Sequence, residues 1–77
     1  MSNILRLSDL DVGQRAKAYS LTADGAIRRR LQDIGLIEGT VVECVLKSPC
    51  QDPAAYLIRG GVIAIRGEDA EKILVSV

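Results

Sequence analysis

The sequence predicts a small, mainly β domain: about five short strands, one α-helix and a short C-terminal helical turn. Three observations carry that expectation. The 77 residues include no Phe or Trp and only two Tyr, yet 48% are hydrophobic. The core must therefore be built from Val, Ile, Leu and Ala, a composition suited to pleated surfaces. Two apolar runs, Ala54 to Arg59 and Val62 to Arg66, are joined by Gly60-Gly61. That reads as a tight hairpin, because the favoured hairpin turns need positive φ. Only Ala23 to Ile34 shows a clear helical period. At about 100° per residue, Ile27, Leu31 and Ile34 fall on one narrow stripe.

The remaining elements follow in chain order. Leu5, Leu7, Leu10 and Val12 lead into Gly13, with Ser8 or Asp9 placed to cap a single helical turn before the first strand. Gln14 to Leu21 reads as a strand with small side chains at Ala16 and Ala18. Thr22 or Asp24 suits the free N–H groups at the helix start. Gly35 suits the left-handed residue that ends a helix, with Leu36 folding back on the last turn. Val41 to Lys47 is an apolar strand in which Cys44 alternates with Val42 and Leu46 as a small buried hydrophobe. Pro49 to Pro53 is a turn, since neither proline serves a central ladder, and Cys50 within it is exposed. Gly67 to Lys72 makes one helical turn with Glu68 and Asp69 near its positive end. Ile73, Val75 and Val77 then share one face of a last strand. Five short strands around an aliphatic core suggest a partly open barrel of the SH3 or OB kind. The length is that of one domain, residues 1–77.

Composition narrows the chemistry. Ten basic residues balance ten acidic ones, so no overall field draws the chain to nucleic acid. Histidine is absent, which removes the commonest metal ligand and the usual base near neutral pH. Cys44 and Cys50 read as reduced thiols of a cytoplasmic protein. Two thiols fall short of the roughly four ligands of a metal site. Gly60-Gly61 is a hairpin turn and not a phosphate loop. The expectation is no metal, no cofactor and no catalysis by this chain alone. The N-terminal residues lack a signal-peptide core, and no apolar run approaches the roughly 20 residues that span a bilayer.

The run Arg30-Leu31-Gln32-Asp33-Ile34-Gly35-Leu36-Ile37-Glu38-Gly39-Thr40-Val41 resembles the FeoA signature, RLxxxGLxxGxxV. Pro49 to Pro53 resembles the PxGDP turn of that family, with Gln51 standing where the family has glycine. Ile63-Ala64-Ile65-Arg66, an acidic turn and Ile73-Leu74-Val75 match its closing segment. The three motifs occur in order and span about Leu5 to Val77. The resemblance implies an SH3-like β-barrel of the cytoplasm, associated with bacterial ferrous iron uptake. It also implies a partner, the membrane permease FeoB, whose cytosolic part is a GTP-binding domain. Any membrane association is then through the partner.

Candidate partner-binding residues lie along this stretch. Arg28 and Arg29 point away from the helix stripe, as a solvated face or as a docking face for an acidic partner, which arginine's planar fork suits. Arg30, beside the stripe, is expected to pair with a carboxylate, assigned to Asp52 in the Pro49–Pro53 turn, and that turn joins the candidate surface. Leu36, Ile37 and Glu38 form the loop after the helix: Leu36 as a cap contact, Ile37 as either core or an exposed aliphatic suited to a small interface. An arginine finger acting on the permease's GTPase is a weaker reading, since nothing in the sequence shows reach to a γ-phosphate. A nucleic-acid-binding barrel is the first alternative, although only Tyr19 and Tyr56 offer stacking platforms. A stand-alone relative of the SH3-like domain of iron-dependent repressors is another. Exposed strand edges also allow weak self-association.

Overall fold

A computed structural model of the chain describes residues 3–21, 25–50 and 52–77. Its elements are β1 (Ile4–Arg6), β2 (Arg15–Leu21), α1 (Gly25–Asp33), β3 (Val41–Lys47), β4 (Ala54–Ile58), β5 (Gly61–Ile65), α2 (Gly67–Ala70) and β6 (Ile73–Ser76). The strands form a six-stranded antiparallel sheet in the order β1-β6-β2-β3-β4-β5, leaving β1 and β5 as edges. The architecture is mainly β with two short helices, as the sequence implies, but with a sixth strand. That strand, β1, is short and lacks an alternating pattern; it exists only through its pairing with β6, Ile4 opposite Ser76 and Arg6 opposite Leu74. A 3₁₀ turn, Leu7–Asp9, follows it, and Asp9 accepts the Arg6 N–H at 3.3 Å.

The core is aliphatic with one tyrosine. Leu7, Leu10, Leu36, Val42, Cys44, Ile73 and Val75 are fully buried, joined by Tyr56, Ile58 and Leu31. The sheet contributes its inward residues in strict alternation along β4 (Ala54, Tyr56, Ile58) and β6 (Ile73, Val75). The Tyr56 hydroxyl donates a long 3.4 Å bond to the Leu7 carbonyl. Burial pushes its pKa up to about 12, with lesser contributions from Cys44 and Asp52.

Four expectations are corrected. Leu46 does not share the buried face with Cys44 but is 63% exposed. The register shifts between Cys44 and Leu46, so the extra residue Val45 reverses the phase of the strand beyond it. The β4–β5 turn is Arg59-Gly60 and not Gly60-Gly61: Ile58 pairs with Gly61, and both Arg59 (φ 49°) and Gly60 (φ 82°) are left-handed, as the primed hairpin turn requires. Tyr56 is core and offers no stacking platform; Tyr19 is 53% exposed. Asp52 is not the partner of Arg30, as detailed below. The assigned cap at Thr22 or Asp24, the helix start at Ala23, the side chain of Ile27 and the turn shape at Gln51 lie outside the described residues.

Candidate functional site

The C-terminal end of α1 is built as its sequence dictates. Gly35 has φ 92°, its N–H donates to Gln32 O at 3.0 Å, and the Leu36 N–H reaches back to Leu31 O at 2.9 Å. This is a Schellman closure, and it drives Leu36 into the core. The loop beyond is braced by Thr40. The Thr40 hydroxyl accepts the Ile37 N–H and donates to the Gly35 carbonyl, each at 3.2 Å. On the other side, the Ala18 N–H donates to Thr40 O and the Gly39 N–H to Ala18 O, both at 2.7 Å.

The Gly35 carbonyl has a second donor, Arg59 Nε at 3.1 Å, which comes from the β4–β5 turn. The Arg59 side chain lies so close across Gly35 that a Cβ there would stand 2.6 Å from Arg59 Cδ. Gly35 is thus required by its backbone angle, and a Cβ there would also have to push the Arg59 side chain aside. Arg59 itself holds a left-handed φ at a backbone cost of roughly 1–2 kcal/mol, and its side-chain bond to the helix end offsets that cost.

Beside this junction the outward face of the sheet forms a shallow cavity of about 400 Å³ lined by Arg15, Thr40, Val41, Glu43, Leu57, Arg59 and Gly60. Register explains the lining. Arg15 lies opposite Glu43 and pairs with it at 2.8 Å, Glu43 lies opposite Leu57, and Leu57 lies opposite Val62. A second hollow, about 570 Å³, runs between α1 and β5 and is lined by Leu31, Ile34, Ile63 and Ile65 with Arg30, Arg66, Glu68 and Asp69. There Arg30 Nη2 meets Asp69 Oδ2 at 2.8 Å, and Asp69 is 6% exposed.

The residues singled out by sequence do not all converge. Arg28 and Arg29 are exposed on α1, and neither makes an ion pair or side-chain hydrogen bond among the described residues. Ile37 is exposed at 44% and Glu38 is exposed beside it, but Leu36 is fully buried and so leaves the candidate surface. The Arg30 carboxylate is Asp69, 39 positions along the chain, and not Asp52. Asp52 instead accepts the Gly67 N–H at 2.7 Å, placing its negative charge at the first turn of α2. Cys44 is buried and Cys50 exposed, as the alternation and the turn imply. Arg15, Val41 and Arg59 were not singled out; only Arg59 had a signal, the alternation of β4, which turns Ile58 inward and leaves Arg59 as the first turn residue. Among the described residues no three His, Cys, Asp or Glu side chains gather as a metal site would need. No helix among them is long and apolar enough to cross a membrane.

Comparison with known proteins agrees with the signature. The family profile named FeoA domain matches residues 5–77. A Porphyromonas gingivalis Fe(2+) transport protein A/Fe(2+) transporter FeoB fusion protein is 33% identical over 72 residues, which are 94% of this chain but only 8% of that protein. The solution structure of FeoA from Chlorobium tepidum is 36% identical with a TM-score of 0.90, covering 95% of this chain and 70% of that one. A Stenotrophomonas maltophilia FeoA, crystallised with zinc and described as a procaryotic SH3 domain protein, is 29% identical with a TM-score of 0.76, covering 92% and 88%. The SH3-like fold implied by the sequence is therefore the observed one.

Proposed function

This chain belongs to the FeoA domain family, and from that premise we propose that it binds a FeoB-type ferrous iron permease and regulates it from the cytoplasm. The contact is with the cytosolic portion of the permease, and the chain contributes no chemistry of its own. One observation carries the reading: in the Porphyromonas gingivalis relative, a segment like this chain and FeoB are one polypeptide. Fusion of two functions in one chain supports an association between them when they are separate. The absence of histidine supports a binding role over a catalytic one. Burial of Tyr56 counts against the nucleic-acid reading, since stacking is the usual sequence-tolerant contact to single strands.

The proposed contact surface comprises Arg28 and Arg29 on α1, Ile37 and Glu38 on the loop after it, and Asp52. Retention of the chain on the immobilised cytosolic portion of the permease tests the function. Binding at micromolar or tighter affinity is expected, weakened when Arg28 and Arg29 are both replaced by Glu. Both arginines are exposed, so that double variant keeps its stability within about 0.5 kcal/mol per site. No retention of the unaltered chain overturns the proposal, and unchanged retention of the double variant removes the helix arginines from the surface.

A further inference from the structure

We infer that the cavity lined by Arg15, Val41, Leu57 and Arg59 seats an acidic segment of the protein partner. A carboxylate of that segment pairs with Arg59, and a neighbouring aliphatic side chain lies on Val41 and Leu57. The inference rests on the permease reading only for the identity of the partner.

The first support is the state of Arg59. Its Nε is committed to the Gly35 carbonyl at 3.1 Å, while its two terminal nitrogens meet no partner among the described residues. The guanidinium is therefore held at the cavity wall with donors to spare. Such a fixed fork loses little freedom when a carboxylate docks on it. Its left-handed backbone reinforces the point: a non-glycine residue occupies an unfavourable conformation at the tip of a hairpin where glycine or asparagine is the favoured choice.

The second support is charge. The cavity sets two guanidinium groups against one carboxylate, Glu43, which Arg15 already engages at 2.8 Å. Lys17 continues the same face into the adjoining hollow with Arg15 and Val41. A chain with zero net charge thus carries a local cationic excess here, which favours an anionic partner over a neutral or basic one. The third is the apolar element. Val41 is 52% exposed, and Val62, opposite Leu57, is 64% exposed. Arginine beside exposed aliphatics suits a peptide that alternates acidic and aliphatic side chains better than it suits a bare anion.

Two experiments test this. The isotope-labelled chain is titrated by NMR with a blocked Glu-Leu-Asp-Leu-Glu pentapeptide and, separately, with inorganic phosphate. The expected result is that the peptide shifts the Arg59 Nε–H and the Val41 and Gly60 amides, with a midpoint at least about tenfold tighter than that of phosphate. Equal midpoints for phosphate and peptide, or peptide shifts confined to α1, overturn the proposal. The second experiment measures binding to the permease's cytosolic portion. Val41→Asp and Arg59→Met are each expected to weaken it about tenfold or more. Because Arg59→Met also removes the bond to Gly35, Val41→Asp provides the arm in which that bond is kept. Tight binding by the unaltered chain and equally tight binding by Val41→Asp sinks the cavity while leaving the permease reading intact. Seating of the peptide at Arg59 without any binding to the permease portion upholds the cavity and sinks the permease reading.

Discussion

Arg30 and Arg59 each tie a bend of this chain to a distant element, but they do so through different acceptors. Arg30 meets a carboxylate: Asp69, almost fully buried at the start of α2, takes its Nη2 at 2.8 Å. Arg59 meets a carbonyl: Gly35 O takes its Nε at 3.1 Å. In the hollow between α1 and β5 the cation is neutralised where it stands. In the cavity on the outward face the cation is positioned and left charged. The difference separates an arginine that builds the fold from one that is presented by it, although each makes a direct contact within hydrogen-bond distance.

The comparison can be broken in three places. Gly35→Ala is expected to have the largest effect, because the new Cβ needs a left-handed backbone and meets Arg59 Cδ at 2.6 Å. Strain of roughly 1–2 kcal/mol plus about 1 kcal/mol for a displaced hydrogen bond gives a loss of roughly 2–3 kcal/mol, read as the shift of a chemical denaturation curve. A variant that loses only the roughly 1–2 kcal/mol of backbone strain would mean that Arg59 is not clamped across Gly35. Next, Arg30→Met leaves the Asp69 carboxylate without its guanidinium. It is expected to cost about 1–2 kcal/mol, more than Arg59→Met, which removes only a bond to a neutral acceptor worth about 0.5–1.5 kcal/mol. The order reverses in binding to the permease portion, where Arg59 matters more. Equal stability losses and equal binding losses would erase the distinction between the two arginines.

The smallest effect at neutral pH belongs to the core that both regions share. Tyr56→Phe is expected to cost under about 1 kcal/mol at pH 7, since its hydroxyl makes a single long bond. Its signature is alkaline. Burial raises the folded pKa from 10.0 to about 12, so the contribution of the neutral phenol is present below about pH 10. It is lost as pH rises from there through 12, because only the unfolded chain then releases the proton readily. Denaturant midpoints at pH 9 and pH 11.5 should fall further for the parent than for Tyr56→Phe. Parallel declines would place the alkaline sensitivity elsewhere.

What could be read from the residues alone was whatever is decided locally. A helix stripe ending in Gly35-Leu36 specifies its own closure, and that closure appears with both expected backbone bonds. Cys44 followed from its place in an alternating strand. What failed was decided across the sheet. The extra residue Val45 is visible only in the pairing of β3 with β4, and it turned Leu46 outward. The hairpin loop moved by one residue because Ile58 is required inside and Gly61 pairs with it. That shift placed an arginine at positive φ against its local preference, held by a bond spanning 24 positions. Arg30 could have found Asp52 or Asp69 by type; the fold sets Asp69 beside it in the hollow between α1 and β5, while Asp52 accepts the Gly67 N–H. The cavity was illegible for the same reason, being assembled from β2, β3, β4 and the β4–β5 turn.

Asn3 and Val77, the first and last described residues, are zipped to each other. The Asn3 N–H donates to Val77 O at 3.3 Å and the Val77 N–H to Asn3 O at 2.9 Å, in continuation of the β1–β6 pairing. Val77 and Ser76 in turn border the hollow that shares Arg15 and Val41 with the proposed seat. Polypeptide joined after Val77 would therefore leave beside that seat. A tethered partner would meet it as a neighbour and not as a diffusing molecule, and a short flexible tether gives an effective concentration on the order of millimolar. A contact too weak to persist between separate proteins would then be occupied most of the time within one chain.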